Sequence, residues 1–218
     1  MRCRIRAGDR SEAAAGLAVG DGAVAVGEGS AALAAVVVSA AVAPRAVGSG
    51  GDAMQLMRTL RHLFATSWGT RRRFTPAVLE QIEAAIRDVE SRHAGEIRFA
   101  VETAFDLPEL WHEVSPRQRA LQVFGHLGVW DTELNAGVLI YVLMADTDVE
   151  IVADRGIAAR VPDADWQVVC KEMEAQFRSG DFAAGAVIGV QRIGALLARH
   201  FPHSGGDRDE LPNQPVLL

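Results

Sequence analysis

Residues 130–156, WDTELNAGVLIYVLMADTDVEIVADRG, constrain the fold more tightly than any other part of the chain. Residues 136–145 form an unbroken apolar run bracketed by acidic loops. The run is too short to span a bilayer, and its Val, Ile and Leu content suits a strand covered on both faces. Beyond it Val149, Ile151 and Ala153 alternate with Glu150, Val152 and Asp154, which reads as a partner strand. Asp146-Thr147 between them is short and polar, as a hairpin turn should be. The loop before the first strand and the loop after the second therefore meet at one edge of a sheet. Those loops carry Asp131, Glu133, Asn135 and Asp154.

The flanking sequence supplies helices and one more strand. Thr75 caps a helix that has Pro76 at its first position, with Val78, Ile82, Ile86 and Val89 at helical spacing. Residues 96–103 alternate Ile97, Phe99 and Val101 with charged residues, as a half-buried strand does. Residues 107–111 make a helical turn, and Ser115-Pro116 opens a helix carrying Ala120, Leu121, Phe124 and Leu127. Asp163 is expected to cap a helix with Trp166, Val169, Cys170, Met173 and Phe177 inward. Asp181 caps a last helix whose small residues should pack closely on the sheet. A helical crossover joins parallel neighbours, so the strand at 96 and the central run are parallel, and the third strand returns antiparallel. The fold class is α/β, a compact domain with a small mixed β-sheet flanked by helices.

The organisation read from composition has four parts. Residues 1–53 are Ala-, Val- and Gly-rich, lack periodicity and read as a low-complexity leader outside the folded protein, with Met54 as the natural start. A signal peptide over residues 1–43 is the second reading, opposed by Asp9, Glu12, Asp21 and Glu28. Residues 54–73 form a basic amphipathic helix and linker, with Leu56, Leu60, Leu63 and Phe64 on one face. Such a segment packs on the domain or a subunit, or lies on a membrane surface. Residues 74–201 are the domain proper, and residues 202–218 read as a disordered tail. A net charge of −6 argues against a nucleic-acid partner. Two cysteines, Cys3 in the leader and Cys170 in a helix, argue against a disulfide framework and against a cysteine zinc site.

The topology gathers Glu96, the loop 131–135 and the exit 154–156 at one end of the sheet, with Asp163 close by. Glu96, Asp131, Glu133, Asn135, Asp154 and Asp163 are therefore the candidate metal ligands. Oxygen donors in irregular geometry suit calcium or another divalent cation. Each has a plainer role: Asp163 as a cap, Asp154 paired with Arg155 or Arg160, Glu96 with Arg98. No nucleophile elbow or phosphate-cradling glycine loop is present. A metal-activated water could still attack a phosphoester, with Arg98 or Arg155 holding the phosphate.

The element order, together with Asn135, Gly137, the 154–156 turn, Asp163, Gly180-Asp181-Phe182, Gly185 and Gly189, resembles the TPM domain. That family is named for a thylakoid lumen protein, a photosystem II repair protein and a nematode receptor-associated protein. The resemblance covers residues 74–201. It implies a Rossmann-like α/β sandwich able to bind calcium. Some members are weak acid phosphatases, and others are assembly or repair factors in membranes. The chain departs at Asn135-Ala136, where Asn-Asn is expected, and at 130–133, where Gly and Lys are common. The functional expectation is a calcium-binding, non-catalytic interaction module with a protein partner in a bacterial envelope or membrane system. A metal-dependent phosphatase of low specificity is the alternative. The expected location is cytoplasmic, peripheral to the inner membrane through residues 54–68, or exported if residues 1–43 act as a signal.

Overall fold

Gly137–Leu143 of the central apolar run form a strand buried at every position, because helices cover both of its faces. The structure is a computed structural model that describes residues 2–5, 50–203 and 209–218, all belonging to one unit of the chain. The expectations for the rest of residues 1–53 lie outside the described residues. In chain order the elements are β1 (Arg2–Ile5), α1 (Gly50–Phe64), α2 (Ser67–Arg73), α3 (Pro76–Glu90), β2 (Glu96–Glu102), α4 (Leu107–Trp111) and α5 (Pro116–His126). Then follow β3 (Gly137–Leu143), β4 (Asp148–Ala153), α6 (Arg155–Ala158), α7 (Asp163–Ser179), α8 (Phe182–His200) and β5 (Val216–Leu217).

The sheet is mixed, in the order β1-β4-β3-β2-β5. β2 and β3 are parallel, with Glu96 opposite Gly137; β3 and β4 are antiparallel, with Val138 opposite Ala153. This is the expected arrangement around the hairpin. One face carries the larger core, where Ile97, Phe99, Val138, Ile140 and Ile151 meet α3, α7 and α8. The other face carries Ala100, Leu139, Tyr141 and Val152 beneath α4 and α5. Coverage on both sides makes β2 fully buried, where the sequence alternation suggested a half-exposed strand.

The ends of the chain correct the sequence reading. Arg2–Ile5, assigned above to the leader, lie parallel to β4. The tail, expected to be disordered, supplies β5 alongside β2, and the Leu218 N–H donates to Val101 O at 2.8 Å. An exposed strand edge offers unpaired backbone groups, and β5 satisfies part of that edge. The basic linker 71–73 is helical, as the end of α2, and Cys170 is disulfide-bonded, against the expectation from the cysteine count.

Local capping follows the sequence in three places of four. Thr75, Ser115 and Asp181 accept hydrogen bonds from Val78, Gln118 and Ala184 N–H groups. The fourth expectation is corrected: Pro162 is the N-cap of α7, and Asp163 sits exposed in its first turn. There its carboxylate faces the positive end of the helix dipole. α8 is the one described helix long and apolar enough to cross a membrane. Here it serves as a core helix, with Ala186, Val190, Ile193 and Leu197 fully buried. Its glycines meet neighbouring helices rather than the sheet: Gly185 approaches Phe177, Gly189 approaches Met173, and Gly194 approaches Val89.

Candidate functional site

The two loops do meet at the start of β2, as the topology requires. The Glu96 N–H donates to Ala136 O at 3.3 Å, Asp154 N–H to Gly137 O at 2.9 Å, and Gly156 N–H to Asn135 O at 2.9 Å. A Cβ on Gly156 would sit 2.5 Å from Asn135 O, so only glycine allows this approach. The backbone rim is therefore real. Its side chains distribute differently from the sequence reading.

Among the described residues, one group of three carboxylates has oxygens within 4.8 Å of one another: Glu90, Glu96 and Asp209. Of the six residues expected to hold a metal, only Glu96 belongs to it. Asp131 and Glu133 are exposed on their loop. Asn135 adopts a left-handed backbone, with φ 52°, and its Oδ1 accepts from Arg155 Nε at 3.0 Å. Asp154 caps α6 by accepting from the Arg155 N–H at 2.7 Å, so it pairs with the backbone of Arg155 rather than its guanidinium. Its Oδ2 is buried without a hydrogen-bond partner, and burial raises the Asp154 pKa. Asp163 stays at the exposed start of α7.

Glu90 is the last residue of α3, and its Oε1 accepts from the Ile97 N–H at 2.9 Å. Glu96 opens β2, and its Oε1 accepts from the Glu210 N–H at 3.1 Å. The second carboxylate oxygen of each is buried with no hydrogen-bond partner. Burial, then the neighbouring acids, push Glu90 up to about 8 and Glu96 up to about 7, against the backbone hydrogen bonds that favour ionisation. The tail closes the group from above, because Asp209 joins the carboxylates and Glu210 also accepts from the Glu133 N–H at 3.1 Å. A cleft of about 230 Å³ opens beside them, lined by Arg87, Ser91, His93 and His203 as well as the acids.

The two arginines expected to hold phosphate are placed otherwise. Arg98 is 5% exposed, and its Nη1 donates to Gln214 O at 3.3 Å under the tail. It acts as a nearby counter-charge that lowers the pKa of Glu90. Arg155 is exposed but turned onto Asn135. Ser91 and His93 of the cleft are partly engaged, with His93 Nε2 left buried and without a hydrogen-bond partner among the described residues. Ser91 Oγ donates to Asp88 O at 2.6 Å. His93 Nδ1 accepts from the Gly95 N–H at 3.2 Å, and burial lowers its pKa to about 4, so it stays neutral.

Sequence reasoning missed Glu90 and Asp209. Asp209 lay in a tail set aside as disordered. Glu90 carried a readable signal: it continues the spacing 78, 82, 86, 90, which puts a carboxylate on the apolar stripe of α3. An acid on a core-facing position is uncommon unless something pairs with it.

Three comparisons bear on the chain. The family profile described as the TPM domain matches residues 71–196. The solved NMR structure of BA42 protein from the psychrophilic bacterium Bizionia argentinensis is similar at 35% identity and a TM-score of 0.60. That match covers 66% of this chain and 94% of the other. No curated protein matches.

Proposed function

The chain belongs to the TPM domain family, and from that premise we propose that it is a calcium-binding, non-catalytic interaction module serving a bacterial envelope or membrane system. The observation that carries the calcium reading is the convergence of Glu90, Glu96 and Asp209 beside a cleft. Two buried carboxylate oxygens without partners are costly, and a divalent cation relieves both their desolvation and their mutual repulsion. All three donors are hard oxygens, which suit calcium and its tolerance of irregular coordination. Backbone carbonyls and waters would complete the shell. The non-catalytic part rests on Ser91, whose Oγ is spent on Asp88 O, and on His93, whose Nδ1 takes the Gly95 N–H and leaves Nε2 as an N–H donor rather than a base. A protein partner remains part of the reading, and calcium would act there by fixing the tail against the 131–135 loop.

The test is calorimetric. With Glu90 raised to about 8 and Glu96 to about 7, the first is mostly and the second partly protonated at neutral pH, so a bound cation must displace protons. Titration at pH 7 in buffers of different ionisation enthalpy should show between one and two protons released per calcium, and tighter binding at pH 8 than at pH 6. Glu96→Gln should abolish the heat of binding. Calcium heats that persist in Glu96→Gln, or that release no proton, would move the cation elsewhere. Hydrolysis of an aryl phosphate that depends on this same group would replace the module by the phosphatase alternative.

A further inference from the structure

A helix that packs on a soluble domain turns its apolar stripe inward. In α1 the stripes are exchanged. Its polar side docks: Arg58 Nε donates to Asp146 Oδ2 at 2.9 Å and Arg58 Nη2 to Val114 O at 2.9 Å. His62, buried, accepts the Phe105 N–H on Nδ1 at 2.8 Å, and its Nε2 lies 3.1 Å from Asp146 Oδ1. Its apolar side faces outward, where Leu56, Met57, Leu63 and Phe64 are each more than half exposed and Phe64 reaches 79%. Trp68 on α2 follows at 67%. α4, at the same end of the sheet, adds Leu107 and Trp111, the latter 87% exposed.

From residue 53 to the end of α2 the charge is one-signed, whereas α4 has the exposed Asp106 and Glu113 beside its apolar residues. Residues 53–79 contain five arginines and no acid, in a chain of net charge −6; with +5 here, −11 lies elsewhere. Arg61, Arg71 and Arg72 are exposed, and the Arg72 guanidinium stacks over Trp68 at 4.6 Å. Exposed Leu, Phe and Trp interleaved with arginine match the boundary between acyl chains and anionic headgroups. A second copy of the chain fits less well, because a two-fold interface would bring these arginines against their own equivalents.

We propose that α1 and α2 form an interfacial anchor that inserts Leu63, Phe64 and Trp68 into the surface of an anionic membrane, with Arg71 and Arg72 on the lipid phosphates, while Arg61 pairs with Asp146 at 3.7 Å. The Arg58–Asp146–His62 contacts hold the helix in the orientation that presents this face. The inference deepens the membrane part of the function proposed above and is independent of its calcium part.

The test is vesicle flotation of the full chain in chelator, so that calcium binding cannot contribute. Vesicles of phosphatidylglycerol mixed with phosphatidylcholine should bind at least about tenfold more tightly than phosphatidylcholine alone, and high salt should erase the difference. Leu63→Asp with Phe64→Asp should abolish binding without lowering the melting temperature, since both side chains already face water. Arg71→Gln with Arg72→Gln should remove the lipid selectivity while the fold persists. Equal binding to both vesicle types, or binding unchanged in the double aspartate variant, overturns the proposal. A dimer on gel filtration that the aspartate variant dissolves also overturns it, in favour of a self-interface.

Discussion

Two carboxylates held out of water at the start of β2 make stability fall as they ionise. In the unfolded chain Glu90 and Glu96 titrate near 4.5; in the fold burial raises them to about 8 and about 7. Between those values the folded state binds more protons than the unfolded state, so stability declines as pH rises from about 4.5 to about 8. After discounting for remaining solvent contact, the decline is on the order of 2–4 kcal/mol. Thermal melts in chelator should show it as a melting temperature several degrees lower at pH 8 than at pH 5.5. Glu96→Gln removes one of the charges, so the variant should melt higher than the parent at pH 8 and show no further rise on adding calcium. A melting temperature independent of pH across that window would mean that the two acids ionise freely. At the far end of β2, Glu102 shows the alternative solution for a buried acid. Arg119 clasps it with Nε and Nη2, each at 2.9 Å, and Tyr141 Oη donates to it at 2.5 Å. Burial, and after it the Glu102 carboxylate, drive the Tyr141 hydroxyl pKa strongly upward, with Arg119 working against the rise.

Two elements depend on a few contacts whose loss can be measured. α1 is tied to the sheet through Asp146. Burial works against the Asp146 charge, but the His62 and Arg58 contacts outweigh it and lower its pKa. The tie is therefore fully present above the ordinary carboxylate range and is lost as pH falls through the lowered value. Asp146→Asn should loosen α1 by on the order of 2–4 kcal/mol, because it strands a half-buried arginine. Hydrogen exchange should then speed up over residues 55–64 while β3 stays protected. The close contacts of Gly189 in α8 and of Gly137 at the start of β3 predict a graded response to alanine. At Gly189 the new methyl meets Met173 Sδ at 2.5 Å, a flexible neighbour that can give way, at a cost of about 1–2 kcal/mol. At Gly137 it meets Val129 O at 2.0 Å, which is backbone, so denaturant melts should show a cost of about 3 kcal/mol or more. Equal costs at the two positions would contradict the packing described.

At the scale of the molecule, the C-terminal ten residues do two jobs at once. They pair with the β2 edge, and they bring Asp209 and the Glu210 N–H to the carboxylate group. Their deletion should lower stability by on the order of 2 kcal/mol, since Arg98 loses its Gln214 partner and β2 regains a bare edge. It should also abolish the calcium-dependent rise in melting temperature. A truncated protein that still responds to calcium would show the tail to be only a cover. The charge map has the same molecular scale. A basic stretch at one end of the sheet and a carboxylate group at the other give the domain two opposed surfaces, which one short helix or one loop could not define alone.

The hairpin of β3 and β4, the parallel crossover from β2 and most of the helix caps were legible in the chain itself. Each depends on neighbours close in sequence: an apolar run, a polar turn, a hydroxyl three residues before the N–H that it accepts. The meeting of the 131–135 and 154–156 loops followed from that topology. Which acids share a site did not, because Glu90, Glu96 and Asp209 are brought together by the end of a helix, the start of a strand and a tail more than a hundred residues later. Nor could amphipathicity tell which side of α1 faces solvent. The pattern marks two stripes, and the choice between them was made by Asp146, a turn residue that offers Arg58 and His62 a buried partner only once the sheet has formed.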